Sequence, residues 1–210
     1  MQTLYSSTFL SAILAFLIML GQTGQPIVLD QSAPTPSFRS IIEPVGPTLA
    51  SPDGKVQIEV FNTFDCPECD SFGLSTLFDL REKYTEDERV EFYLYLIPDK
   101  TSEAELFATR GVHCSSKYDR FWDMVYEMHN KDVINQREVD ITGQGMSFPV
   151  LEFRDCISGE EMVPKIEEDL AYAQTRGITR KPSILVNGTL LLGAQPLENI
   201  ERAVNQHLSY

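Results

Sequence analysis

The sequence predicts an α/β domain whose second and third strands are separated by an inserted helical block. Three observations carry that prediction. Strand and helix patterns run β-α-β early in the chain and β-β-α at its end. Residues of about 99–176 between them read as mostly helical, too long a stretch for a simple crossover. A Cys-Pro-Glu-Cys turn joins the first strand to the first helix.

The chain has 210 residues, which fits one domain or a domain with an arm. Apolar residues are 42%, enough for a core, and the net charge is −14. That charge repels phosphate and anionic lipid, so nucleic-acid binding and electrostatic membrane binding are excluded. The first charged side chain is Asp30, and Phe9 to Leu20 is apolar except for Ser11. Residues 1–21 therefore read as a cleaved signal peptide or an N-terminal membrane anchor. Either way the chain is expected to be exported, to an extracytoplasmic place such as a periplasm or cell surface. Residues 22–52 form a Pro/Ser-rich linker, interrupted by Pro26, Pro34, Pro36, Pro44, Pro47 and Pro52. Such a segment is stiff and has no core of its own. The folded domain is expected at 53–210, where the net charge is −13.

Lys55 to Phe61 is a short β-branched strand. After Pro67, the residues Leu74, Leu77, Phe78 and Tyr84 recur at helical spacings. Val90 to Ile97 is a second strand, ended by Pro98. In the block, Leu106 and Phe107, then Phe121, Trp122, Val125, Tyr126 and His129, suit two amphipathic helices. Ile166, Leu170 and Ala173 suit another, which Gly177 ends. Ser183–Val186 and Thr189–Leu192 flank Asn187-Gly188, a hairpin dipeptide. Leu197, Ile200, Val204 and Leu208 mark a last amphipathic helix.

The chemistry lies in Cys66-Pro67-Glu68-Cys69. Pro67 fits the first helical position, which puts Cys66 at the N-cap. Unpaired N–H groups and the positive end of the helix dipole favour a thiolate there. A thiolate is both the nucleophile and the better leaving group of thiol–disulfide exchange. Cys69, one turn on, can close a disulfide but faces inward, so Cys66 attacks and is attacked while Cys69 resolves. Two plainer readings stand beside this one: a purely structural disulfide, and half of a zinc site. Zinc would want a second close pair, and Cys114 and Cys156 are 42 positions apart.

Strand, Cys-x-x-Cys, helix, strand, helical insert, then Lys181-Pro182-Ser183 before a hairpin and final helix resembles the thioredoxin fold. The insert makes it similar to the DsbA-like branch, exported thiol:disulfide oxidoreductases. Phe64, Phe72, Phe121-Trp122 and the segment from Gly177-Ile178 to Asn187-Gly188 add to the resemblance, which covers roughly 54–208. It implies a cis proline at Pro182, packed beside the sulfurs, with Lys181 ahead of it offering strand-like hydrogen bonds to a substrate. It also implies a disulfide Cys114–Cys156 that staples the insert; a redox-active second pair and free thiols are the alternatives. Two positions depart from the family pattern. Val60 stands where an acidic residue is common, and strand alternation sends neighbouring Glu59 to the other face. Lys181 replaces the usual Thr or Val.

The function expected is an exported oxidant that passes its Cys66–Cys69 disulfide to the cysteines of substrate proteins. A membrane redox partner would reoxidise it, and neither a metal nor an organic cofactor is needed. A monomer is expected; isomerases of this kind usually add a dimerisation module, and none is visible in the sequence. An isomerase or reductase on the same fold, and a non-catalytic binding or chaperone module, are the alternatives. Glu68 and Lys181 are expected to face Cys66 with opposite charge, Lys181 offsetting Glu68, or else Lys181 points to solvent. His113, His129 and His207 read as surface or packing residues, and Trp122 as insert core. Asn187-Gly188-Thr189 reads as a turn before a glycosylation acceptor. The runs Glu86-Asp87-Glu88 and Glu167-Glu168-Asp169 read as solvated faces.

Overall fold

A computed structural model describes residues 56–208. The apolar segment 1–21 and the linker 22–52 lie outside the described residues. Among the described residues, no helix is long and apolar enough to cross a membrane.

The elements are β1 (Val56–Asn62), α1 (Pro67–Leu74), α2 (Thr76–Tyr84) and β2 (Val90–Leu96). The insert follows, with α3 (Glu103–Ser115), a short 3-10 turn at Ser116–Tyr118, α4 (Phe121–His129), α5 (Gln136–Gly145), α6 (Val150–Ser158) and α7 (Val163–Thr175). The chain then returns as β3 (Ser183–Val186), β4 (Thr189–Leu192) and α8 (Leu197–Leu208). The four strands lie in the order β2-β1-β3-β4. β1 runs parallel to β2 and antiparallel to β3, and β3 to β4 is the hairpin. Asn187 and Gly188 hold φ of 45° and 84°, the left-handed pair that a tight primed turn requires.

Alternation divides the sheet into two faces. Val56, Ile58, Val60, Phe92 and Leu94 enter the main core, shared with α1, α2, α8 and the insert. Phe61, Tyr95, Ile97 and Leu185 face the other way, under Ala173 and Leu170 of α7. The central strand β1 is covered on both sides and ends at the turn that carries the cysteines.

Three details differ from the sequence reading. The helical pattern after Pro67 is split at Ser75, whose φ and ψ are −123° and −91°. Its hydroxyl donates to the Ser71 carbonyl at 2.6 Å, a local bond that competes with helix continuation. Leu74, expected on the apolar stripe, is exposed at the break. Asp169, expected in a solvated run, is buried, because it falls between Ile166 and Ala173 on the inward stripe of α7. It accepts from the Leu96 N–H at 3.3 Å, and His113 from α3 lies 3.8 Å away, buried beside it. Trp122 sits at the junction of insert and sheet, against Phe78, Phe92 and Phe121, with the Arg81 guanidinium 5.2 Å from its ring.

Candidate active site

Four residues lead from the end of β1 into α1. Asn62, Thr63 and Phe64 are buried, and Asp65 takes a φ of 56° to turn the chain outward. Cys66 follows as the N-cap of α1, in extended conformation, with Pro67 at the first helical position. Proline suits that place because its missing N–H had no helical partner to lose. The Cys69 N–H points at Cys66 Sγ, 3.3 Å away, so the sulfur does the work of a capping oxygen. Cys66 and Cys69 are joined as a disulfide with their Cα atoms 5.1 Å apart. Cys66 is half-buried and Cys69 fully buried, so only one of the two sulfurs can be reached from outside.

The turn from the insert into β3 approaches the same end of the sheet. Ser183 pairs with Phe61, which sets Pro182 beside the last residue of β1. The Lys181–Pro182 bond is cis, and Pro182 is buried. Charges tie this turn to its surroundings through partners that the sequence did not name. Glu68 is met by Arg180, at 3.1 and 3.4 Å, both side chains well exposed. Lys181 is drawn to Glu105 of α3, at 2.8 Å. Glu105 also accepts from the Thr63 hydroxyl and from the Asp99 N–H at 2.8 Å. Glu68 and Lys181 therefore belong to two separate pairs, Glu68 with Arg180 and Lys181 with Glu105.

Beneath α1 lies a buried network that sequence reasoning did not find. Asp70 accepts the Cys66 N–H at 3.2 Å through one carboxylate oxygen, and its other oxygen lies 2.9 Å from His129 Nδ1. His129 Nε2 lies 3.3 Å from the Asn62 amide nitrogen, which also donates to the Cys69 carbonyl at 3.3 Å. The ring packs on Phe64, and Gly73 leaves the room it occupies, since a Cβ there would meet the imidazole at 2.3 Å. His129 was visible as a polar residue on an apolar stripe. Its partner is 59 positions away, so nothing local named it.

Glu59 is buried on the far face of β1, where Tyr172 and Arg176 hydrogen-bond it, the latter at 2.6 Å. Away from this end of the sheet, a second disulfide joins Cys114 of α3 to Cys156 of α6, both buried. Among the described residues, no cluster of three or more His, Cys, Asp or Glu is placed to hold a metal ion.

A profile of the thioredoxin family matches residues 43–206, most of the chain. The chain belongs to the thioredoxin family. Within it, the helical insert makes the fold DsbA-like. A relative from Bacillus anthracis described as a probable disulfide bond formation protein D is 25% identical over 171 residues, covering 77% of each chain. The oxidised structure of BdbD from Bacillus subtilis superposes with a TM-score of 0.70 at 16% identity, over 80% of this chain and 97% of that one. DsbA of Chlamydia trachomatis gives the same TM-score at 13% identity, over 80% and 94%. This thioredoxin-family chain thus pairs the fold with a one-sidedly accessible dithiol, the equipment of a thiol:disulfide oxidoreductase.

Proposed function

We propose that the chain is an exported oxidant of protein thiols, acting through Cys66 and Cys69. The observation that carries this is the asymmetry of the pair: Cys66 is reachable at a helix N-terminus and Cys69 is sealed beneath it. A substrate thiolate attacks Cys66 Sγ, the Cys66–Cys69 bond breaks, and Cys69 leaves with the electron pair and takes a proton. A second substrate thiolate attacks the substrate sulfur of the mixed disulfide and releases Cys66 as a thiolate. The substrate loses two electrons and the enzyme holds them until a membrane redox partner removes them. The helix N-terminus and the Cys69 N–H both favour the released thiolate, which supports an oxidising role. The relatives named for disulfide bond formation support the same direction.

In this reading, Pro182 and the residue before it border the path of the substrate chain, and Pro67, Glu68 and Lys181 shape the rim. Cys114–Cys156 is a structural staple of the insert. Residues 1–21 direct or anchor the chain, 22–52 hold the domain away from the membrane, and the domain from 53 onward works as a monomer on the outer side.

A redox titration against glutathione tests the proposal. An oxidant gives a potential of about −120 to −180 mV, whereas a reductant lies near about −270 mV. A potential well below that would leave Cys66–Cys69 a structural bond and favour the binding-module alternative.

A further inference from the structure

The buried His129 has no role in the exchange steps above, yet it stands two hydrogen bonds from the backbone of both cysteines. We propose that His129 is a proton-linked positioning residue for the Cys66 thiolate, acting through Asp70. The Asp70 carboxylate takes the Cys66 N–H, at 3.2 Å, and brings negative charge to the N-terminal turn of α1. Both effects oppose a thiolate on Cys66. His129 lies directly behind that carboxylate, at 2.9 Å. When its ring carries one proton, that proton sits on Nδ1 and faces Asp70, and the Asn62 amide nitrogen donates to the bare Nε2. When the ring takes a second proton, at Nε2, its positive charge offsets Asp70, and the thiolate is favoured.

The second state has an acceptor waiting. Asn62 Oδ1 is buried with no hydrogen-bond partner. A half-turn of the amide brings that oxygen to Nε2–H and takes the amide nitrogen off the Cys69 carbonyl. An orphaned oxygen in a buried amide is costly; here it is the feature that makes the doubly protonated ring accommodable. The groups facing His129 are Asp70 and Gly73 from α1, Asn62 from β1 and Phe64 from the following loop. Of these only Asp70 ionises. The nearer rim charges are already matched, Glu68 by Arg180 and Glu105 by Lys181. By linkage, a thiolate on Cys66 favours the protonated ring to the same extent.

The inference rests on Cys66 being the exchanging thiol, but its test uses no substrate, so a failure of the oxidant reading would leave it standing. The reduced full-length protein is alkylated with iodoacetamide from pH 4 to 9, alongside His129→Gln and Asp70→Asn. The wild type should show two inflections, as coupled groups do. His129→Gln should lose the lower one and react about threefold to tenfold more slowly below it, while matching the wild type above it. Asp70→Asn should react faster above the lower inflection and flatten it. Asp70 is partly exposed at the edge of this network, and Asn has nearly the same shape, so that variant leaves the core intact. The wild type alone gives an independent readout: the His129 ring resonance in NMR should titrate at higher pH in the reduced protein than in the oxidised one. A single inflection shared by all three proteins, or a His129 titration indifferent to the disulfide, would overturn the proposal.

Discussion

Cys66 and Cys69 are three positions apart and unequal in every respect that matters for exchange. One caps the helix at the surface; the other is sealed within the first turn. Cys66→Ser should therefore abolish exchange, and Cys69→Ser should accumulate mixed disulfides through Cys66, seen as reducible high-mass bands on a non-reducing gel. Bands trapped through Cys69 in the Cys66→Ser variant would reverse the assignment. The rim charges should matter less. Glu68 and Arg180 are both well exposed, so Glu68→Gln should shift Cys66 alkylation toward lower pH by less than about one unit. Lys181 is more enclosed, and Lys181→Thr should lower stability by about 1 kcal/mol or less in urea titrations, since Glu105 keeps its bonds to Thr63 and Asp99. The motif itself was legible, because Cys, Pro and helix start are all local signals. The partners were not: Arg180 for Glu68, Glu105 for Lys181 and Asp70 for His129 are separated by 112, 76 and 59 positions. Only the folded chain brings them together.

Strands and helices were legible wherever one period ran uninterrupted. β1, β2, the Asn187-Gly188 hairpin and α8 lie within about a residue or two of where alternation, turn chemistry and apolar spacing put them. Ser75 broke the pattern after Pro67 without a Gly or Pro to announce it, through a side-chain bond that leaves no mark on periodicity. In the insert, Cys114 and Cys156 tie α3 to α6 and are both buried, out of reach of a substrate thiol. Closing a loop of that length restricts the unfolded chain by about 4 kcal/mol. Replacing both with Ala should lower the melting temperature clearly while leaving the potential of Cys66–Cys69 unchanged. A shifted potential with unchanged stability would show that the two pairs exchange electrons.

At the scale of the whole molecule, Asp169 and His113 join α7 and α3 to β2 in the buried interior. Burial pushes Asp169 up to about 8; burial, and next the nearby Lys165, push His113 down to about 4. From about pH 4 to 6.5 the pair holds one proton whether folded or unfolded, and stability does not depend on it. Above that, unfolded His113 has lost its proton while folded Asp169 keeps its own up to about 8. The folded state then binds more protons, so stability should fall as pH rises through this window, by on the order of 1–2 kcal/mol. Urea unfolding at pH 6 and 8.5 measures it, and Asp169→Asn should remove the slope. The acidic run that hides Asp169 misled composition, although the spacing from Ile166 and Ala173 held the correct answer.

The order of the strands has a temporal meaning as well. β1 finds β2 across 34 positions but finds β3 across well over a hundred, with the whole insert between. Closing so long a loop before any bond rewards it is slow, and it becomes easier once the insert has condensed and drawn its ends together. The β1–β3 ladder is then the late event in folding, and it is the one that sets Pro182 beside the end of β1. A newly made chain would carry Cys66 and Cys69 before it carried Pro182 alongside them. Its dithiol therefore gains its complete setting only when the sheet closes, and the closing of the sheet and the completion of the site are one event.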